Sequence, residues 1–147
     1  MKAISLHQPW ASAVAFGIKR WETRSWYPND LPGRIAIHAS AKRSRAQLTH
    51  FMLCWGNAEI RAAFAKNGFD LSDWDRLPFG SIIATCTVET IASTELIQPS
   101  ATQSLLGDYS DGRFAWRLEN ISRLHEPIPC KGRLGLWTIP PNIETEM

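Results

Sequence analysis

The segment Gly17-Ile18-Lys19-Arg20-Trp21-Glu22-Thr23-Arg24 carries three cations and a carboxylate within one short stretch. In a partly enclosed cleft an ammonium loses its proton more readily and then serves as base or nucleophile. A neighbouring carboxylate transfers protons or orients a water. A guanidinium holds phosphate or another oxyanion through paired hydrogen bonds. Glu22 and Arg24 lie two residues apart and share a face on extended chain. Lys19 has the opposite parity and joins them only at a bend after Gly17. An ion-pair network fixing the strand entry accounts for the same spacing, so both readings stand on the residues alone.

Other candidates are more dispersed. Glu89 closes the apolar run Ile82 to Val88, where a carboxylate would emerge at a rim or cavity. His38 sits between Ile37 and Ala39 and reads either as a satisfied interior histidine or as a proton shuttle. Ser40 follows on the same face and lacks a nucleophile-elbow context. Lys42, Arg43 and Arg45 form a second basic run. In Tyr109 to Trp116 a flexible loop precedes aromatic strand residues, so Trp116 is either core or a wall for a base, with Arg113 near phosphate. Trp26 is the second candidate for stacking.

These groups need a scaffold, and the bulk numbers allow one. The chain has 147 residues, 44% hydrophobic and 20% charged, which fits a single domain over 1–147 with a sizeable core. Net charge is only +2, which excludes a histone-like composition. Its distribution is uneven: residues 19–45 carry seven Lys or Arg against two acids, a local surface that steers anions. Cys54, Cys86 and Cys130 are widely spaced, with no paired C-x-x-C and no His/Cys array, so neither a disulfide scaffold nor a metal site is expected. No cofactor is expected either, there being no Walker loop and no dinucleotide fingerprint. There is no apolar leader or membrane-length run, and the expected location is cytoplasmic.

The pattern predicts a strand over Lys2 to Leu6, then a short helix introduced by Pro9 and ended by Gly17. Trp21 to Trp26 and Arg34 to Ser40 read as strands around the turn Asn29 to Gly33. Ser44 to Lys66 is helical, with Gly56 marking a bend or a junction between two helices. Ser81 to Glu89, Phe114 to Ile121 and Leu134 to Ile139 read as further strands. Asp70 to Gly80 is a loop or short helical insert, and Ile91 to Gly112 an irregular segment reaching over a neighbouring surface. Strands do not alternate with long helices, which disfavours a doubly wound sheet. The expected class is α+β: a small mixed barrel flanked by helices.

Several segments, in this order, resemble the ASCH domain family. They are Ile4-Ser5-Leu6-His7-Gln8-Pro9-Trp10-Ala11, then Gly17 to Trp26, then Gly33 to Ser40, then Gly132-Arg133-Leu134-Gly135-Leu136-Trp137. The resemblance implies a PUA-like barrel whose cleft binds RNA or a modified nucleobase. It also brings in relatives that hydrolyse N4-acetylated cytidine and others described as ribonucleases. In the amidohydrolase branch a lysine, a threonine and a later glutamate form the catalytic set. Lys19 matches the lysine, Glu22 stands where the threonine would be, and Glu89 matches the later acid. Arg24 matches the arginine that closes the signature. An ionised carboxylate at position 22 cannot donate as a hydroxyl does, and it favours the cationic form of Lys19.

Three functions follow as expectations. The first is binding of RNA or a modified nucleotide, with Lys19, Arg24, Lys42, Arg43 and Arg45 on phosphates and Trp116 or Trp26 on a base. The second is metal-independent hydrolysis of RNA or of N4-acylated cytidine by Lys19, Glu22 and Glu89, with His38 assisting. The third is a protein-interaction module that docks through exposed aromatics.

Overall fold

The computed structural model describes residues 1–147. Strand β1 (Lys2–Leu6) leads into helix α1 (Trp10–Ala15), followed by β2 (Trp21–Arg24) and β3 (Gly33–Ala39). Helices α2 (Arg45–Cys54) and α3 (Ala58–Lys66) come next, with a 3-10 turn over Leu71–Arg76. Strand β4 (Ser81–Ser93), helix α4 (Ala101–Leu105), strand β5 (Phe114–Pro129), strand β6 (Leu136–Thr138) and helix α5 (Pro141–Glu144) complete the chain.

The six strands form one sheet in the order β2-β5-β4-β3-β1-β6. Only β1 and β3 run parallel; every other neighbouring pair is antiparallel. The sheet curls into a half-barrel flanked by helices, with β2 and β6 at its two edges. The parallel pair requires a crossover between β1 and β3, and α1 and β2 lie within it.

Local signals explain the boundaries. At the end of α1, Ile18 N–H donates to Ala13 O and Gly17 N–H to Val14 O, while Gly17 takes φ +77°. That is a Schellman ending, which needs a residue free to adopt the left-handed region. The predicted helix over 44–66 is two helices. Ser44 caps α2 by accepting from Gln47 N–H, and Asn57 caps α3 by accepting from Ile60 N–H. Gly56 lies between them, at the junction.

The inner sheet face meets α1 in a core of Ile4, Val14, Ile35, Ile37, Val88, Trp116 and Leu118. A second apolar cluster joins α2 and α3 around Phe51, Phe64 and Trp74, whose rings lie 5.5 Å apart in the Phe51–Phe64 and Phe51–Trp74 pairs. Such aromatic pairs add about 0.5–1.5 kcal/mol beyond area burial. Leu106, just past α4, belongs to this cluster, which anchors α4 beside α1 and α2.

Two strands extend past their expected ends. β4 continues beyond Glu89 to Ser93, and β5 beyond Ile121 to Pro129. Trp116 lies at 0% exposure in the core and offers no free face to a ligand, which corrects its expected role as a stacking wall. Trp26 packs edge-on against it with centroids 5.2 Å apart. No helix is long and apolar enough to cross a membrane, and no group of three or more His, Cys, Asp or Glu is arranged to hold a metal ion.

Candidate functional site

The turn after α1 delivers Lys19 to the interior. Lys19 N–H donates to Ala13 O at 3.0 Å, so the chain folds back under the helix before β2 begins. Gln103 of α4 clamps this turn from the other side. Its amide donates to Ile18 O at 2.7 Å and accepts from Arg20 N–H at 3.0 Å. The Lys19 side chain, 2% exposed, enters between these walls. Its ammonium donates to Trp21 O at 2.7 Å and to Leu106 O, and lies 3.7 Å from Glu22 Oε2.

Burial lowers the Lys19 pKa from the ordinary lysine value, since the charged form is stripped of water. Glu22 opposes that shift and Arg24 adds to it. Glu22 and Arg24 share a face of β2 as their spacing predicts, and Arg24 Nε donates to Glu22 Oε1 at 3.0 Å. The other Arg24 arm donates to Ser5 O at 3.0 Å on β1, which ties the two strands' ends together. Glu22 Oε2 is buried and has no hydrogen-bond partner.

These groups line a hollow of about 430 Å³, within the size range of small-ligand sites. Its far wall comes from elements distant in sequence. Trp10 of α1 stacks on His50 of α2, with centroids 4.6 Å apart. His50 Nε2–H donates to Leu105 O at 2.6 Å, which fixes the ring beside α4. Asp108 and Arg113 close the rim, Arg113 Nε lying 3.5 Å from Asp108 Oδ2 and its other arm donating to Thr23 O.

A second hollow adjoins the first. Ser5, His7 and Arg24 line both. Beyond them it is bordered by His38, Ser40 and the loop before β6. His38 is 1% exposed and fully engaged: Nε2–H donates to Cys130 O at 2.7 Å, leaving Nδ1 to accept from the Ser5 hydroxyl at 3.0 Å. Trp137 Nε1–H donates in turn to Ser5 Oγ at 3.2 Å. The interior-histidine reading therefore holds. Burial lowers the His38 pKa, with the Cys130 hydrogen bond opposing.

Of the residues expected from sequence, Lys19, Glu22, Arg24 and Arg113 meet in the first hollow, and Arg24, His38 and Ser40 border the second. Glu89 does not join them. It is exposed on β4 and lines neither hollow, because the strand runs on past it instead of ending at a rim. Lys42, Arg43 and Arg45 are exposed next to Ser40 without lining either hollow. Arg43 is occupied by Asp75 at 3.4 Å and by the Phe79 ring at 4.0 Å. Trp26, like Trp116, lines neither hollow. Sequence reasoning missed Trp10 and His50 as the aromatic wall. Trp10 stood in view at the start of α1, but nothing in the spacing pairs it with His50.

A family model described as the ASCH domain matches residues 4–128. Activating signal cointegrator 1 of mouse and of human are each 28% identical over 137 residues, covering 92% of this chain and 22% of theirs. The chain thus spans about a fifth of the length of these curated relatives. The crystal structure of ASCH from Zymomonas mobilis superposes with a TM-score of 0.54 at 16% identity, covering 99% of this chain and 91% of that one. A tyrosine-to-phenylalanine mutant of the same Zymomonas protein also gives 0.54, over 94% of that chain. At this identity the likeness is one of fold. With the match running from β1 through nearly all of β5, the chain belongs to the ASCH domain family of the PUA-like superfamily.

Proposed function

We propose that the first hollow binds a nucleobase of RNA or of a modified nucleotide. One observation carries the reading: Glu22, only 7% exposed, lines the hollow with a carboxylate whose Oε2 receives no hydrogen bond from the protein and has only the Lys19 ammonium, at 3.7 Å, as a charged partner. Leaving such an atom unsatisfied costs about 1–3 kcal/mol, more for a charged group. A ligand N–H, such as an exocyclic amine or a ring imide, supplies the missing donor. The Trp10–His50 stack provides an apolar wall for the base plane. Lys19, Arg24 and Arg113 place positive charge around the same space, which suits a ligand that carries phosphate.

The test is a calorimetric titration of wild type and Glu22→Gln with the four ribonucleoside monophosphates and N4-acetylcytidine. A base-reading carboxylate predicts that one base is preferred and that the substitution weakens it about tenfold or more, the scale of a charged hydrogen bond. Equal binding of all five by both proteins would remove the assignment.

A second reading is favoured by the lowered Lys19 pKa beside Glu22. The same hollow would then hydrolyse an N4-acylated cytidine or cleave RNA without a metal, Lys19 acting as base or nucleophile and Glu22 carrying the proton. Glu89, lining neither hollow, takes no part in this version. Full turnover by Lys19→Ala on either substrate would exclude it.

A further inference from the structure

We infer that the second hollow is a phosphodiester subsite continuous with the first, so that the natural ligand is a single-stranded RNA segment and not a free nucleotide. This rests on the base-reading role proposed for Glu22 and extends it along the chain of the ligand.

Three observations carry it. First, the hollows are joined: Ser5, His7 and Arg24 line both, and Arg24 spans the junction with one arm on Glu22 and the other on Ser5 O. A linked ligand seated against Glu22 therefore has a path from the first space into the second. Second, the charge changes along the path. The first hollow carries Glu22 and Asp108 among its cations, whereas the second is lined by Arg24, Lys131 and Arg133 with no acid at all. Lys131 and Arg133 are exposed, and neither forms an ion pair, unlike Arg43, Arg76, Arg113 and Arg117. Third, the loop that presents them is firmly held. His38 pins Cys130 O, Trp137 pins Ser5, and Gly132 packs directly on the His38–Ser5 pair with no room for a side chain. The loop backbone is held at Cys130, Gly132 and Trp137, and from it the unpaired Lys131 and Arg133 side chains reach over the second hollow. Leu134 beside them is 99% exposed and gives the rim an apolar surface for the face of a flanking base.

The chemistry that fits is two or more linked nucleotides: one base edge on Glu22, the next phosphate at Arg133 and Lys131. No bond is made or broken in this proposal. A mononucleotide fills only the first hollow.

The experiment compares a mixed-sequence RNA octamer with the preferred mononucleotide, for wild type and a Lys131→Gln/Arg133→Gln protein, across a range of salt. The octamer is expected to bind wild type more tightly than the mononucleotide. The double variant should lower the slope of log affinity against log salt by about 0.7, the value for the one single-strand phosphate that both cations hold. Its octamer affinity should fall about fivefold or more at low salt while mononucleotide affinity stays within about twofold. An octamer affinity and slope unchanged by the double substitution would overturn the subsite and leave the base pocket standing. So would equal loss for both ligands, which marks general attraction. If wild type binds neither ligand, the base pocket and the subsite fall together.

Discussion

Lys19 and Glu22 are costly to bury, and the fold meets that cost unevenly. The ammonium has two backbone carbonyls and a carboxylate 3.7 Å away, while Glu22 has Arg24 on one oxygen and no hydrogen bond on the other. The second oxygen is left with the Lys19 ammonium at 3.7 Å as its charged partner, and in the proposed base-reading role a ligand N–H supplies the hydrogen-bond donor it lacks. His38 is the opposite case, with both ring nitrogens occupied. Its pKa is lowered from 6.5 by burial, so between that lowered value and 6.5 the unfolded chain binds the extra proton. Stability contributed by His38 is therefore complete above pH 6.5 and is lost as the pH falls through that window. We expect the melting temperature to drop on acidification below the ordinary histidine value, ahead of the carboxylate range, and His38→Gln to flatten that drop. His7 shifts in the same direction through burial and the charges of Lys42 and Arg24, so His7→Gln is measured alongside. A wild-type curve flat from about pH 7 to about pH 5, the range in which histidines titrate, would contradict this account.

The elements legible in the sequence were those whose signals are local. The Schellman glycine at 17, the alternation of Ile35, Ile37 and Ala39, and the Gly56 junction all lie within a few residues of what they specify. The second half of β5 was illegible because β2 pairs with it only over Phe114–Arg117, and residues beyond 118 are mostly half-buried or exposed. Without a covered face there is no alternation to read. Asn120 at φ 50° and the shifts in pairing register break the period further, and Pro127 and Pro129 argue against a strand. The same limit applied to the site. Parity showed that Glu22 and Arg24 share a face, and the geometry agrees. Parity could not say which face of β5 is covered, so Trp116 stood as a candidate wall while Trp10 did the walling from another element. The loop before β6 makes an element-scale prediction. A Cβ on residue 132 would lie 2.5 Å from His38 Cε1 and 2.7 Å from both His38 Nδ1 and Ser5 Oγ. Both neighbours are held by other hydrogen bonds and cannot simply turn away. Gly132→Ala should cost about 1–3 kcal/mol, as overpacking in a fixed site does. At about 2–4 °C per kcal/mol the melting temperature should fall by several degrees. An unchanged melting temperature would mean that the loop moves freely and is not a platform.

At the scale of the molecule, net charge conceals the electrostatics that matter. The total is +2, yet much of the positive charge is already paired: Arg20 and Arg117 on Glu119, Arg76 on Asp73, Arg113 on Asp108, Arg43 on Asp75. Lys42, Arg45, Lys131 and Arg133 form no ion pair, and Lys131 and Arg133 line the hollow that holds no acid. Lys42 is close enough to the junction of the two hollows for its charge to lower the His7 pKa. Arg34, Arg61, Lys66 and Arg123 also stand outside any ion pair but line neither hollow, so the unneutralised cations at the groove itself are Lys131 and Arg133, with Lys42 beside it. This distinguishes two neighbours that the sequence ranked as equals. Lys42→Glu reverses an unpaired charge beside the groove. Arg43→Glu removes a cation already balanced by Asp75 and packed on Phe79, and so alters packing more than it alters the field. In anisotropy titrations with the RNA octamer, Lys42→Glu should weaken binding severalfold at low salt and reduce the salt slope by about 0.7 or more. Arg43→Glu should change binding less while lowering the melting temperature more. The reverse order, with Arg43 dominating affinity and Lys42 silent, would move the path of the strand away from the two hollows and towards α2.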